Sequence, residues 1–183
     1  MAADAGITSR LFSVAFGPAR LHSALDATSQ SMKLKTAQIG KCGELLVQYE
    51  LLRLGIESAP MTTDAGVDLV AYSPARKEAI TIQIKTNWEP KRAGSGKGKA
   101  AIGCLVRDPV PASLVALVDL SSEEVWLFTR DEFKQHAQQH RPGKLQLYMY
   151  TDPRVKPRLK GLMHSWQFAG FAISKCASKL FGI

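Results

Sequence analysis

The segment Asp68 to Lys85, DLVAYSPARKEAITIQIK, carries an acid at its start and two polar residues, Gln83 and Lys85, one position apart at its end. Side chains alternate along a strand, so Thr81, Gln83 and Lys85 share one face while Ile80, Ile82 and Ile84 take the other. The isoleucines are candidates for the core. In a hairpin of this length the start of the first strand lies opposite the end of the second, which brings Asp68 beside Gln83 and Lys85. A carboxylate, an amide oxygen and an ammonium at one strand end suit metal-assisted hydrolysis of a phosphodiester. Asp68, Gln83 and the backbone carbonyl of Ile84 offer hard oxygen donors to a cation, and Lys85 can orient water and stabilise developing negative charge.

Blander readings stand beside each of these. Asp68 could cap a turn, and Asp64 could compete with it, although an acid followed by LVAY inside a strand has no turn to serve. Gln83 and Lys85 could form the solvated side of an edge strand, with Lys85 guarding that edge against aggregation.

Several elements must position these residues. From Thr36 to Leu54, apolar residues recur at helical spacing and Gly55 supplies a stop, which predicts a helix. GIESAPMTTDAG reads as a loop delivering the chain into VDLVAY, and SPARKE as the turn between VDLVAY and AITIQIKT. After Thr86, NWEPKRAGSGKGKAA reads as a flexible basic loop. Strand candidates follow at IGCLV, at the hairpin SLVALVDL and EEVWLFT, and at LQLYMY. Asp131 is a candidate cap for the helix DEFKQHAQQH, and a C-terminal helix is expected from Phe168 to Phe181. The order predicts an α/β or α+β fold with a central mixed sheet flanked by helices.

The whole chain sets further bounds. Its 183 residues, 45% of them hydrophobic, suffice for one domain with a core, and residues 1–31 read as a tail because Met32 precedes the first patterned segment. Lys and Arg number 24 against 16 for Asp and Glu, a net charge of +8 that favours a polyanionic partner. Three scattered cysteines, Cys42, Cys104 and Cys176, fit neither a disulfide framework nor a zinc site, and with no export segment visible the expected location is cytoplasmic. GSGKGKA lacks the spacing of a phosphate-binding P-loop. Trp88, Lys91, Arg92, Lys97 and Lys99 are candidates for nucleic-acid contact beside the site strand. Arg154, Lys156, Arg158 and Lys160 form a second basic cluster, read as a solvated face first and a DNA-tracking surface second. His136 and His140 are expected on an exposed helix face, and Trp126 and Trp166 in the core.

KCGELLVQYELLRLG, GVDLV and QIKT occur in that order, and together they resemble the PD-(D/E)XK nuclease superfamily, more narrowly its branch with a QxK final motif. That branch includes group I intron homing endonucleases and related small nucleases. The resemblance implies one restriction-endonuclease-like domain over residues 32–183, with the helix bearing Glu44 packed against a central mixed sheet. It implies Mg2+, or Mn2+ in its place, at Asp68, cleavage of DNA leaving a 5′-phosphate, and a homo-oligomer, dimer or tetramer. Glu44 would be a second acid, binding the metal directly or through water; by helical geometry it sits at the edge of the apolar stripe, where a solvated role is equally open, and Glu50 is a decoy on the same helix. Gln83 departs from the more usual acid, which weakens metal affinity and keeps a second possibility in play, a non-catalytic DNA-binding module that retains the nuclease fold.

Overall fold

Helix α1 (Thr36–Arg53) forms where the apolar spacing predicts it, burying Val47 and Leu51 and ending at Gly55, whose φ of 76° is one that glycine accepts without strain. A computed structural model describes residues 34–63, 65–73, 75, 78–92, 96, 98–156 and 161–183. The expected tail, residues 1–31, and the candidates Asp64, Lys97, Arg158 and Lys160 lie outside these. After α1 come β1 (Glu57–Pro60), β2 (Leu69–Tyr72), β3 (Ile80–Asn87), β4 (Lys91–Arg92), β5 (Ala100–Arg107), β6 (Leu114–Asp119) and β7 (Glu124–Thr129). The chain then runs through α2 (Arg130–His136), β8 (Gln139–Arg141), β9 (Lys144–Tyr150), a 3-10 helix (Ser165–Phe171) and α3 (Ile173–Phe181).

The strands make two sheets. The first is mixed, in the order β1-β2-β3-β6-β7, with β3 and β6 parallel and the other pairs antiparallel. The second is antiparallel, in the order β4-β5-β9-β8. On one side of the mixed sheet Ile82, Ile84, Leu114 and Leu127 pack with Val47 and Leu51 of α1 and with Ile173 and Phe181 of α3. On its other side Val115, Leu117, Trp126 and Phe128 meet Ile102, Cys104 and Leu147 of the second sheet. Every residue of β6 is buried, as a strand covered on both faces requires. The fold is therefore α/β, a central mixed sheet with helices on one face and a second sheet on the other. Among the described residues no helix is long and apolar enough to cross a membrane.

Two close approaches fix the layers around the site strand. Gly43 lets α1 settle directly on β3, since a Cβ there would overlap the Thr86 hydroxyl. Gly66, at φ 82°, passes so near Pro111 that a Cβ would come within 2.6 Å of its ring.

Several expectations need correction. The segment before VDLVAY is not only loop, because Glu57–Pro60 pairs with β2 as an edge strand. Lys91 and Arg92, expected in a flexible loop, pair with Ala101 and Ala100 of β5. Helix α2 is capped by Thr129, not Asp131. The Thr129 hydroxyl accepts from the Glu132 backbone N–H, and the Glu132 carboxylate accepts from the Thr129 backbone N–H, so each satisfies an end group that would otherwise lack a partner. That helix stops at His136, and Gln139–Arg141 becomes β8. His136 and His140 thus occupy different elements, and His136 packs edge-on against Phe168 and Phe171, with ring centroids 5.8 and 5.2 Å away. The C-terminal helix is split at Ala172, whose backbone is extended at ψ 136°. Trp126 is core, but Trp166 is 51% exposed and stacks on His164 at 4.3 Å.

Candidate active site

The β2–β3 register pairs Leu69 with Ile82 and Val70 with Thr81, so the next position outward sets Asp68 opposite Gln83. The Asp68 backbone N–H donates to the Ile82 carbonyl at 2.9 Å, extending the ladder by one bond. Its carboxylate then takes over where β2 runs out, with Oδ2 accepting from the Ile84 N–H at 2.5 Å. A charge-assisted bond of this kind fixes the carboxylate against the strand edge. The N–H and C=O of one strand residue point to the same side, which turns the Ile84 carbonyl towards that same edge.

Gln83 is 5% exposed on the opposite face from Ile82 and Ile84, and among the described residues its Oε1 has no hydrogen-bond partner. A buried amide oxygen left unpaired costs about 1–3 kcal/mol, so a ligand that it could hold would offset a real penalty. Lys85 follows on the same face and is partly exposed. Its ammonium reaches towards β5. There burial pushes the Cys104 thiol up to about 12, opposed by the nearby Lys85 charge. Gln83 and Lys85 open into a cleft of about 330 Å³ lined also by Gly66, Leu105, Arg107 and Lys144.

Among the described residues, no three His, Cys, Asp or Glu side chains cluster as metal ligands. The available donors are instead one carboxylate, the orphaned amide oxygen of Gln83 and the Ile84 carbonyl. An all-oxygen set of this kind suits a hard divalent cation, not a soft one. The residues present fit such an ion.

The remaining candidates fall into three groups. Glu44 sits one residue beyond the point where α1 touches β3, but its carboxylate accepts from Lys41 Nζ at 2.8 Å and does not line the cleft. Trp88 is 47% exposed at the end of β3, and Lys99 is exposed just before β5. Lys91 and Arg92 line a second groove of about 270 Å³ with Asn87, Gln146 and Tyr148. Arg154 of the second basic cluster is held by Asp152 at 3.0 Å. A larger hollow of about 440 Å³ contains none of the candidate site residues, and its Asp108 and Lys134 pair with each other at 3.6 Å.

Sequence reasoning missed Arg107 and Lys144 on the far wall of the site cleft. They are cross-strand partners in β5 and β9. Their outward places in alternating strands were a usable signal, but their pairing across β6, β7, α2 and β8 was not local.

No protein-family model and no curated protein matches this chain. Among solved structures the chain resembles a bacterial homing endonuclease, I-Ssp6803I, with a TM-score of 0.55 at 15% sequence identity, over 82% of this chain and 94% of that one. At that identity the likeness is one of fold, and the chain has a nuclease-like fold.

Proposed function

We propose that this protein is a magnesium-dependent DNA endonuclease of the PD-(D/E)XK type, in the QxK branch. The carrying observation is the buried Oε1 of Gln83, which has no hydrogen-bond partner among the described residues and whose residue stands opposite Asp68 in the β2–β3 register, with Gln83 and Lys85 lining one cleft. Asp68, Gln83 and the Ile84 carbonyl would hold the ion, with Mn2+ as a substitute. When bound, the ion neutralises phosphate charge and acidifies water. The Asp68 carboxylate is positioned by the Ile84 N–H. The Lys85 ammonium orients the attacking water and stabilises charge that builds on the phosphate oxygens. Glu44 would join as a second acid on release from Lys41. Trp88, Lys91, Arg92, Lys97 and Lys99 would contact the DNA. A homo-oligomer would place two sites on one duplex, and α1 exposes Leu45, Tyr49 and Leu52 at helical spacing as a surface for it.

The test is nicking of supercoiled plasmid with Mg2+ or Mn2+. Asp68→Ala and Lys85→Ala are expected to abolish it while the fold, read by circular dichroism, persists; full activity in both variants sinks the assignment. The alternative is a DNA-binding module without catalysis. It is favoured by the amide at position 83 and by the Lys41 bond that occupies Glu44. Wild-type protein that binds DNA but cuts with neither metal establishes that alternative.

A further inference from the structure

The outward face of the second sheet has an unusual charge arrangement. Arg107 of β5 lies directly opposite Lys144 of β9, and Lys144 lies directly opposite Arg141 of β8. Three exposed cations therefore stand in one row across three adjacent strands, which are spaced about 5 Å apart. Like charges set directly opposite each other destabilise a sheet. Ion pairs could relieve this, but among the described residues Arg107, Lys144 and Arg141 form none.

The row borders the cleft that holds Gln83 and Lys85. From there the same face continues through the pairs Leu105–Gln146 and Gly103–Tyr148 to Lys91, which pairs with Ala101. No acidic residue occupies the outward positions of β4, β5, β8 and β9. We infer that this face is a duplex-DNA platform continuous with the candidate active site, with Arg107, Lys144 and Arg141 as a phosphate clamp and Leu105, Gln146 and Tyr148 turned towards the groove.

The polyanion that matches this shape is DNA. Strands β4 and β8 pair with only the ends of β5 and β9, so from Ile102 to Cys104 the face is a two-stranded ribbon. A two-stranded ribbon enters the major groove of B-form DNA, about 12 Å wide, whereas the major groove of an RNA duplex is too narrow to admit side chains. One pair beyond this ribbon, where β8 joins as a third strand, Gln146 and the 47% exposed Leu105 continue the same face, Gln146 able to read adenine and Leu105 to contact the thymine methyl.

The inference rests on the DNA-directed part of the proposed function, and its test is separable from catalysis. Affinity for a duplex is measured by fluorescence anisotropy in EDTA, across a salt series, for wild type, Arg107→Gln/Lys144→Gln, Arg107→Lys/Lys144→Arg, and Lys175→Gln/Lys179→Gln on the exposed side of α3. The neutralised clamp is expected to bind about tenfold or more weakly at about 0.15 M salt, with a salt slope lower by about 2. The charge-preserving pair and the α3 variant should bind as wild type does. The inference is overturned by unchanged affinity and slope in the neutralised clamp, by tighter binding to an RNA duplex of the same sequence, or by wild-type protein that binds no duplex. Clamp-dependent binding without plasmid nicking upholds the platform and removes the nuclease assignment. Nicking at the wild-type rate by a neutralised clamp that also binds normally does the reverse.

Discussion

The two faces of β3 are built from alternate residues of one strand, yet they do opposite things. Ile82 and Ile84, at 0% and 7% exposure, point into an apolar layer closed by α1 and α3. Gln83 and Lys85 point to the side shared with the second sheet. That sheet packs tightly over β6 and β7 through Ile102, Cys104 and Leu147, but at β3 the two sheets leave a cleft. The sealed face supplies stability and rigidity. The open face accepts a buried oxygen with no partner among the described residues and a cation, features that a core chosen for stability alone would exclude.

That contrast can be broken by crossing mutations between the faces. On the open face, Lys85→Ala should lower plasmid nicking at least about a hundredfold while shifting unfolding free energy by about 0.5 kcal/mol or less. On the sealed face, Ile82→Ala should cost about 2–5 kcal/mol in urea unfolding, through the cavity it leaves. Equal losses of stability from both would erase the distinction. Gly43→Val comes next, since its side chain collides with Thr86 where α1 meets β3. A loss of about 1–3 kcal/mol is expected by thermal denaturation, and an unchanged midpoint would mean that helix and strand are not held this closely.

Gln83→Met sharpens the comparison further. It removes the orphaned oxygen at similar volume, so the metal-free protein should gain about 1 kcal/mol while nicking is lost. A variant that loses both stability and activity would show that Oε1 was satisfied after all. The smallest effect concerns Cys104. With burial holding its thiol up at about 12, the thiolate is negligible at pH 8, and alkylation should appear only under unfolding conditions. Mass spectrometry of iodoacetamide-treated native protein reads this directly.

The long elements were legible in the sequence because their patterns are local. Helix α1, β3 and β9 repeat apolar residues at a period that one backbone geometry satisfies, and the β6–β7 hairpin shows as two continuous apolar, β-branched and aromatic runs parted by a polar turn. The short strands were not legible. Strands β1, β4 and β8 have 4, 2 and 3 residues, too few to show a period, and they exist because a neighbouring strand offers them hydrogen bonds. Apolar spacing from Phe168 to Phe181 runs past Ala172, so it conceals the extended residue that separates the 3-10 helix from α3. Thr129 and Asp131 are both good capping residues by type, and the direction in which the chain leaves β7 selects the first.

At the site, strand alternation and a hairpin turn were enough to place Asp68, Gln83 and Lys85 together, since each relation spans few residues and admits one register. Alternation also settled which face the isoleucines would bury. Only the tertiary structure decided that Gln83 Oε1 would be enclosed without a partner among the described residues, that Lys41 would hold Glu44, and that Arg107 and Lys144 would form the opposite wall. Enclosure depends on which layer covers a strand, and the pairing of β5 with β9 joins segments separated by three strands and a helix. Neither leaves a local periodic trace, because both are set by how complete layers pack and not by the backbone geometry of any one segment.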